Sequence, residues 1–550
     1  MTLAFPTAER LSAAEMAGQL VCIPLRDYRG DAAAREAFLH SFDRHAWGGV
    51  IVFGGDLAAT AELLSEARER SPIPPLITGD FERGLGQQFP DAGTRFPSFM
   101  AFGSAGDPEL ARAAWREIGR ELAAAGFHVD FMPVADLALE PANPIVADRA
   151  ASDDPELAAA IVAAAVEGLQ SAGVAATVKH FPGHGRTTVD SHEALPVVEA
   201  SREVLEASDW IPFRAGIAAG ARLAMSAHVA FPALEPDSAR GRPATFSHAI
   251  ATGLLRHEWG FEGLLCSDAL MMGAVAGESA TANARRALEA GIDWLLYPPE
   301  PERVHAELAA ALESEPPLRA TCERATERLL ALKRWAIDGA ASAPAGAPAA
   351  RPDQAARAAP IVLAASAAPL AEAVAGAAIV ADPPTPPPGP AWPDRAQWVV
   401  VLDGGIGPDE IVLGEELAPA AARDLLVVDT GAGSDAVLAA IAAVREKCAR
   451  AWVACAVFSP VRAWKGRAGL SAAAREAVRV ATADASEAVL IVFSNPRIVS
   501  ELEAPSRVVW THGEAPASQR AALDFLRGSL PALGRLAVRP NADRRTFSPR

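Results

Sequence analysis

The sequence predicts an α/β protein of two domains, an N-terminal (β/α)8 barrel followed by an open α/β sandwich, on three observations. The chain has 550 residues, beyond the roughly 250 to 300 over which a single core keeps growing. One compositional break, DGAASAPAGAPAAR at 338–351, holds Ala, Pro, Gly and Ser without an amphipathic period and reads as a linker. On both sides of it short apolar runs alternate with helical stretches. The expected boundaries are 1–337 for the barrel, 338–352 for the linker and 353–550 for the sandwich.

Eight apolar runs precede the break: GQLVCIPL (18–25), GGVIVFGG (48–55), PPLITGD (74–80), HVDFMPVADL (128–137), VAATVKHF (174–181), RLAMSAHVAF (222–231), GLLCSDAL (263–270) and IDWLLYPP (292–299). Between them lie helical segments such as 107–126 and 154–173, each opening on Asp-Pro as N-cap and first helical residue and closing on Gly. Eight buried strands separated by helices predict a barrel. An open doubly wound sheet would more often carry a Gly-rich dinucleotide loop after its first strand, and none is present. After the break, runs at 361–366, 397–404, 424–431, 452–459, 487–496 and 506–513 predict the sandwich strands, with the Pro-rich 382–393 as a surface loop.

Composition excludes several function classes. Half the residues are hydrophobic and 21% are charged, so both domains can bury cores. A net charge of -18 repels phosphate backbones and anionic membrane surfaces, so neither nucleic acid nor membrane is expected as a partner. The five cysteines form no C-x-x-C pair, which fits a reduced compartment and excludes a zinc ribbon. Glu9, Arg10 and Glu15 interrupt the first twenty residues, leaving no signal-peptide core, and nowhere do 18 apolar residues run together. The expectation is a cytoplasmic protein. Among 50 basic residues only Lys179, Lys333, Lys447 and Lys465 are lysine. A lysine retained against that bias suits a task that a planar guanidinium cannot perform.

Barrel active sites lie at the carboxyl ends of the strands. The polar residues there are Asp80, Glu82, Asp136, Lys179, His180, His228 and Asp268, with Arg149, Asp190 and His192 on the following loops. Unlike charges converging on one rim suit a neutral, hydroxyl-rich ligand. The densest segment, KHFPGHGRTTVDSHEALP (179–196), carries three of the eleven histidines. Asp190 and His192 stand two apart, so a turn lets the carboxylate accept from one imidazole nitrogen, an arrangement that serves a general acid and base. The same pair could instead simply hold the loop. A metal site of His180, His184, His192 and Asp190 is disfavoured because His180 leads into a loop, where an x3 spacing need not converge imidazoles. Neither metal nor cofactor is therefore expected. Asp268, emerging from LLCS, suits a nucleophile or a ligand-binding acceptor equally.

Taken together, KHFPGHGRTTVDSHEALP and LLCSDALMM closely resemble the glycoside hydrolase family 3 β-N-acetylglucosaminidases, the NagZ-like branch. GDFERG (79–84), TRFP (94–97), FMPVADL (131–137), DRAASDDP (148–155) and MSAHVAFP (225–232) extend the resemblance over all eight strands, and the second half resembles the sandwich that many members carry. The resemblance implies Asp268 as nucleophile, His192 as general acid/base tuned by Asp190, and Asp80, Arg149, Lys179 and His180 as residues that grip sugar hydroxyls. It implies a retaining, exo-acting hydrolase that removes terminal N-acetyl-β-glucosaminyl residues from small carbohydrates such as cell-wall muropeptide fragments. Two departures stand out. Arg83 occupies a position where the family usually has Gly, and Gln88 one where a sugar-contacting Arg is usual, which weakens the case for a carboxylate-bearing glycan. Because a histidine acid leaves no second carboxylate beside the covalent ester, phosphorolysis is the alternative reaction. A non-catalytic sugar-binding protein is the alternative of another class.

Overall fold

The computed structural model describes residues 5–25, 31–235, 241–276, 279–338, 367–387, 392–407, 410–417, 424–461, 467–503 and 505–539. The expected linker beyond residue 338 and the expected strand 361–366 lie outside the described residues. By contact the chain forms two units. The first comprises Met1–Thr94, Arg112–Asp136 and Val162–Ala367, and the second Arg95–Ala111, Leu137–Ile161 and Ala368–Arg550.

In the first unit each of the eight apolar runs contains a strand: β1 Val21–Leu25, β2 Gly49–Val52, β3 Leu76–Gly79, β4 Val129–Asp130, β5 Ala175–Phe181, β6 Leu223–Ser226, β7 Leu264–Ser267 and β8 Leu295–Leu296. They form one parallel sheet in the order β7-β6-β5-β4-β3-β2-β1-β8, and a bridge from Cys266 to Trp294 joins its two ends into a barrel. Its interior is filled by Cys22, Ile51, Leu76, Phe131, Leu223 and Trp294, with Leu329 and Leu332 of the helix Pro316–Lys333 packed against the same core. Gly49 is required by the Trp294 indole, because a Cβ there would stand 2.4 Å from the ring. β4 is short because Pro133 lacks an N–H; the sheet resumes only as a bridge between Val134 and Lys179.

The capping chemistry read from sequence forms as expected. Asp107 Oδ1 accepts from the N–H groups of Glu109 and Leu110, and Asp154 Oδ1 from those of Glu156 and Leu157. The two helices start on Pro108 and Pro155, and Gly126 and Gly173 follow them with φ of 91° and 86°. Among the described residues no helix is long and apolar enough to cross a membrane.

The second unit is an open α/β sandwich. β10 Gln397–Leu402, β11 Leu426–Asp429, β12 Trp452–Phe458, β13 Glu487–Val492 and β14 Arg507–Trp510 are parallel, and β9 Val380–Asp382 lies antiparallel on β14, giving the order β11-β10-β12-β13-β14-β9. β9 was not expected. Three residues ending just before Pro383 are too short to show a period, and their pairing with β14 is long-range information. The flank of the expected Pro-rich loop also differs, since Trp392 opens a short helix and is fully buried. At the end of β10, the Asp403 carboxylate accepts four hydrogen bonds, from Thr430 Oγ1, Arg467 Nη2, Ser459 Oγ and the Ser471 N–H. The segments 95–111 and 137–161 join this unit through polar contacts. Arg497 donates to Ala138 O and Asp153 Oδ2, Ser152 Oγ donates to Ala537 O, and Ser104 Oγ pairs with His512 Nε2.

Candidate active site

The carboxyl ends of β3 to β7 in the first unit bring together most of the residues singled out in the sequence. Lys179, 1% exposed, points its ammonium between Asp80 Oδ1 at 2.8 Å and Glu82 Oε1 at 2.6 Å. A compact ammonium donating in two directions from an enclosed position is a geometry that a guanidinium fork does not reproduce. Asp80 keeps part of its side chain open at the mouth, whereas Glu82 is buried. Close by, Asp130 of β4 is wholly buried and accepts the Phe81 N–H at 3.0 Å. Burial pushes its pKa well above the usual carboxylate range, against the pull of that N–H and of Lys179, so it is a neutral acid. Sequence reasoning passed over Asp130 because it sits within an apolar run.

Asp136 organises the histidine loop. Its Oδ2 accepts from the His180 backbone N–H and from Nδ1 at 2.6 Å, and its Oδ1 accepts from the His184 N–H. Burial acts to raise the Asp136 pKa, but His180, followed by His184, outweighs it and holds the carboxylate below its ordinary range. His184 bonds through Nδ1 to Thr187 Oγ1 and through Nε2 to Ser191 Oγ, and burial, with His180 nearby, lowers its pKa to about 4. His184 is therefore a neutral strut. Among the described residues no group of three or more His, Cys, Asp or Glu side chains is arranged to hold a metal ion.

Asp190 and His192 form the expected dyad. Asp190 Oδ1, buried, accepts both the His192 N–H and its Nδ1–H at 2.8 Å, which assigns proton exchange with a ligand to Nε2. The imidazole itself is one-fifth exposed. Asp268 follows β7, partly open to solvent, and among the described residues the hydrogen bond to its carboxylate is that of the Ala269 N–H at 2.7 Å. Burial acts to raise its pKa, but His180, His228, the Ala269 N–H and His192 prevail, so Asp268 is ionised well below neutral pH. His228 donates from Nε2 to Ala269 O and pairs through Nδ1 with Thr245 Oγ1, steadying the peptide next to Asp268.

Gln88 and Arg149 behave differently from the rest. Gln88 donates its side-chain amide to Asp80 O at 3.0 Å, so the residue replacing the expected cation supports the Asp80 backbone. Arg149 lies in the second unit, in the turn Ala147–Arg149, where its guanidinium donates to Ile145 O.

A carboxylate held anionic, an aspartate-backed imidazole and a buried lysine between two carboxylates thus stand at the strand ends of the first unit. The profile of the glycosyl hydrolase family 3 N-terminal domain matches residues 15–332. The chain belongs to glycosyl hydrolase family 3. It is 38% identical over 273 residues to a β-hexosaminidase of Xylella fastidiosa strain M23, covering 48% of this chain and 79% of that protein. A β-hexosaminidase of Stenotrophomonas maltophilia K279a is 37% identical over 261 residues, covering 45% and 75%. Among solved structures, a family 3 β-N-acetylglucosaminidase from Paenibacillus sp. FPU-7 superimposes with a TM-score of 0.79 at 29% identity over 96% of this chain and 99% of that one. A β-glucoside phosphorylase superimposes with a TM-score of 0.81 at 22% identity over 97% and 95%, a likeness of fold. As a member of glycosyl hydrolase family 3 the chain is a glycosidase, and the relatives it matches are named β-hexosaminidases.

Proposed function

We propose that the protein is a retaining, exo-acting β-N-acetylglucosaminidase that removes terminal N-acetyl-β-glucosaminyl residues from small cell-wall fragments in the cytoplasm, as part of peptidoglycan recycling. The observation that carries this reading is the pairing of an anionic Asp268 with the Asp190–His192 dyad at one barrel mouth. A carboxylate of Asp268 attacks the anomeric carbon while the bond to the leaving oxygen breaks and the proton on His192 Nε2 passes to that oxygen. Asp190 stabilises the protonated ring before transfer and fixes its tautomer afterwards. In the second half, Nε2 takes a proton from water, the resulting hydroxide attacks the anomeric carbon, and the glycosyl ester to Asp268 is released as carboxylate. Asp80, Lys179 and His180 hold the sugar hydroxyls. With Gln88 turned to the Asp80 backbone, a substrate whose affinity depends on a carboxylate near that position is disfavoured.

The histidine acid also favours a second reading, phosphorolysis, because a neutral imidazole beside the ester does not repel an anionic acceptor. Incubation with 4-nitrophenyl N-acetyl-β-glucosaminide and with its glucoside analogue, with and without phosphate, tests both. Free N-acetylglucosamine released at the same rate in phosphate and in a neutral buffer is expected. A glycosyl phosphate product would replace the hydrolase with the phosphorylase, and faster turnover of the glucoside would overturn the N-acetyl preference.

A further inference from the structure

We infer that Gly273 is a positioning residue for the acid/base, clasping the Asp190–Ala194 turn onto the segment that carries the nucleophile. The inference rests on the roles proposed above for Asp268 and His192. The Gly273 N–H donates to His192 O at 3.0 Å, and the adjacent Ala274 N–H donates to Ser191 O at 3.2 Å. The turn is itself closed by Glu193 and Ala194 donating to Asp190 O. From Gly273 the connection runs back to the nucleophile in short steps. Met272 donates to Ala269 O, and the Ala269 N–H is the group that holds Asp268 Oδ1. Leu270, between them, donates to Leu296 O and ties the segment to the barrel. On the opposite side the turn is held by Ser191 Oγ against His184 Nε2, and His184 is held in turn by Asp136. The dyad is therefore gripped between the end of β4 and the segment after β7.

Glycine is needed at 273 for space, and its φ is not among the left-handed ones. An ideal Cβ there would stand 2.6 Å from His192 O and 2.7 Å from Glu193 O, where ordinary contact begins at 3.4 Å. Both neighbours are backbone, so no side-chain rotation relieves the overlap, and a methyl group must push the whole turn away. The group displaced first is the peptide of His192 itself. Since the imidazole is oriented through Asp190 within the same turn, its Nε2 moves relative to an Asp268 that stays on the barrel wall.

The test compares Gly273→Ala with His192→Ala and Ser191→Ala on two substrate classes, activated aryl N-acetylglucosaminides and N-acetylglucosaminyl disaccharides. Misplacing a catalytic group by about 1 Å costs roughly 10²-fold, so Gly273→Ala should lose about that much kcat on the disaccharide. Labelling of Asp268 by an activated 5-fluoro glycoside should be nearly unchanged, aryl substrates should show a burst, and azide should accelerate their turnover. This is the signature of a missing proton donor, which a general loss of structure does not produce. Ser191→Ala adds no bulk and removes only the tie to His184, so it should give a smaller loss with the same leaving-group dependence, and it decides the matter if Gly273→Ala does not fold. Equal proportional losses on both substrate classes, or wild-type kinetics in both clasp variants, overturn the inference. If His192→Ala also lacks leaving-group dependence, the acid assignment falls with it; if His192→Ala shows that dependence and the clasp variants do not, the clasp alone is wrong.

Discussion

Both units place an aspartate at the carboxyl end of a parallel strand, and the two carboxylates are finished in opposite ways. Asp403, after β10, is fully buried and accepts four hydrogen bonds from two hydroxyls, a guanidinium and a backbone N–H. Asp268, after β7, is partly open and accepts one, from its neighbour's N–H, while three imidazoles hold it anionic from a distance. A carboxylate whose lone pairs are all occupied is a structural post, because any ligand must first break what holds it. One that is charged with acceptor capacity left over is available for chemistry. The difference teaches that position at a strand end nominates a residue, while unspent hydrogen-bonding capacity decides its role.

The sharpest way to break that comparison is to remove each carboxylate. Asp268→Ala should cost several orders of magnitude in turnover, about 10⁴-fold or more, since the covalent route is lost, with little change in melting temperature. Asp403→Ala should leave turnover of the folded protein within a few-fold but destabilise it by about 1 to 3 kcal/mol, because buried donors lose their acceptor. Parallel assays of aryl glycoside hydrolysis and thermal unfolding give both answers, and exchanged phenotypes would refute the distinction. Next in size, His192→Ala should slow substrates with basic leaving groups by roughly 10² to 10⁴-fold and activated aryl glycosides far less. Azide should restore part of the aryl rate. A uniform loss without azide rescue would make the dyad a loop fastening comparable to Asp403.

Lys179→Arg comes third. The enclosed space between Asp80 and Glu82 should turn a nominally conservative change into a loss of roughly 10- to 10²-fold in kcat/KM. Wild-type kinetics would show that the pocket accepts any cation. The smallest effect concerns acid stability. His184 has its pKa lowered to about 4 and His512 to about 3, both chiefly by burial. The unfolded chain then binds more protons than the folded one below the ordinary histidine value, so each contributes stability that is full above about pH 6.5. That stability drains as pH falls toward the folded values. His184→Gln in the barrel and His512→Gln in the sandwich should each flatten the pH dependence of urea unfolding by up to ~1.4 kcal/mol per pH unit between about pH 6.5 and 4.5. Slopes parallel to the wild type would show that burial does not govern these rings.

Much of the molecule was legible in the sequence because its signals are local. All eight barrel strands lie inside apolar runs, Asp107 and Asp154 cap the helices that their Asp-Pro pairs announced, and the D-S-H spacing produces the Asp190–His192 bond. What was hidden depends on partners distant in the chain. Asp130 looks like an ordinary strand residue until Phe81 meets it across 49 positions. Thr187, Ser191 and Thr245 read as loop hydroxyls until the imidazoles they support are seen. Gly273 carried one faint signal, a glycine soon after the run LLCSDALMM, but the crowding that requires it comes from a turn about eighty residues upstream. Arg149 belongs to a segment whose contacts lie in the second unit, a grouping that no local pattern announces.

That last grouping bears on how the chain is made. Ser104, Asp153 and Ser152 find their partners His512, Arg497 and Ala537 at separations of 408, 344 and 385 residues. At a synthesis rate of about 5 to 20 residues per second, these stretches emerge from the ribosome roughly 20 to 80 s before the residues they bind. The early half of the polypeptide therefore passes through translation with two of its segments unmatched. Docking of these two segments therefore waits until residues 497 to 537 have been made.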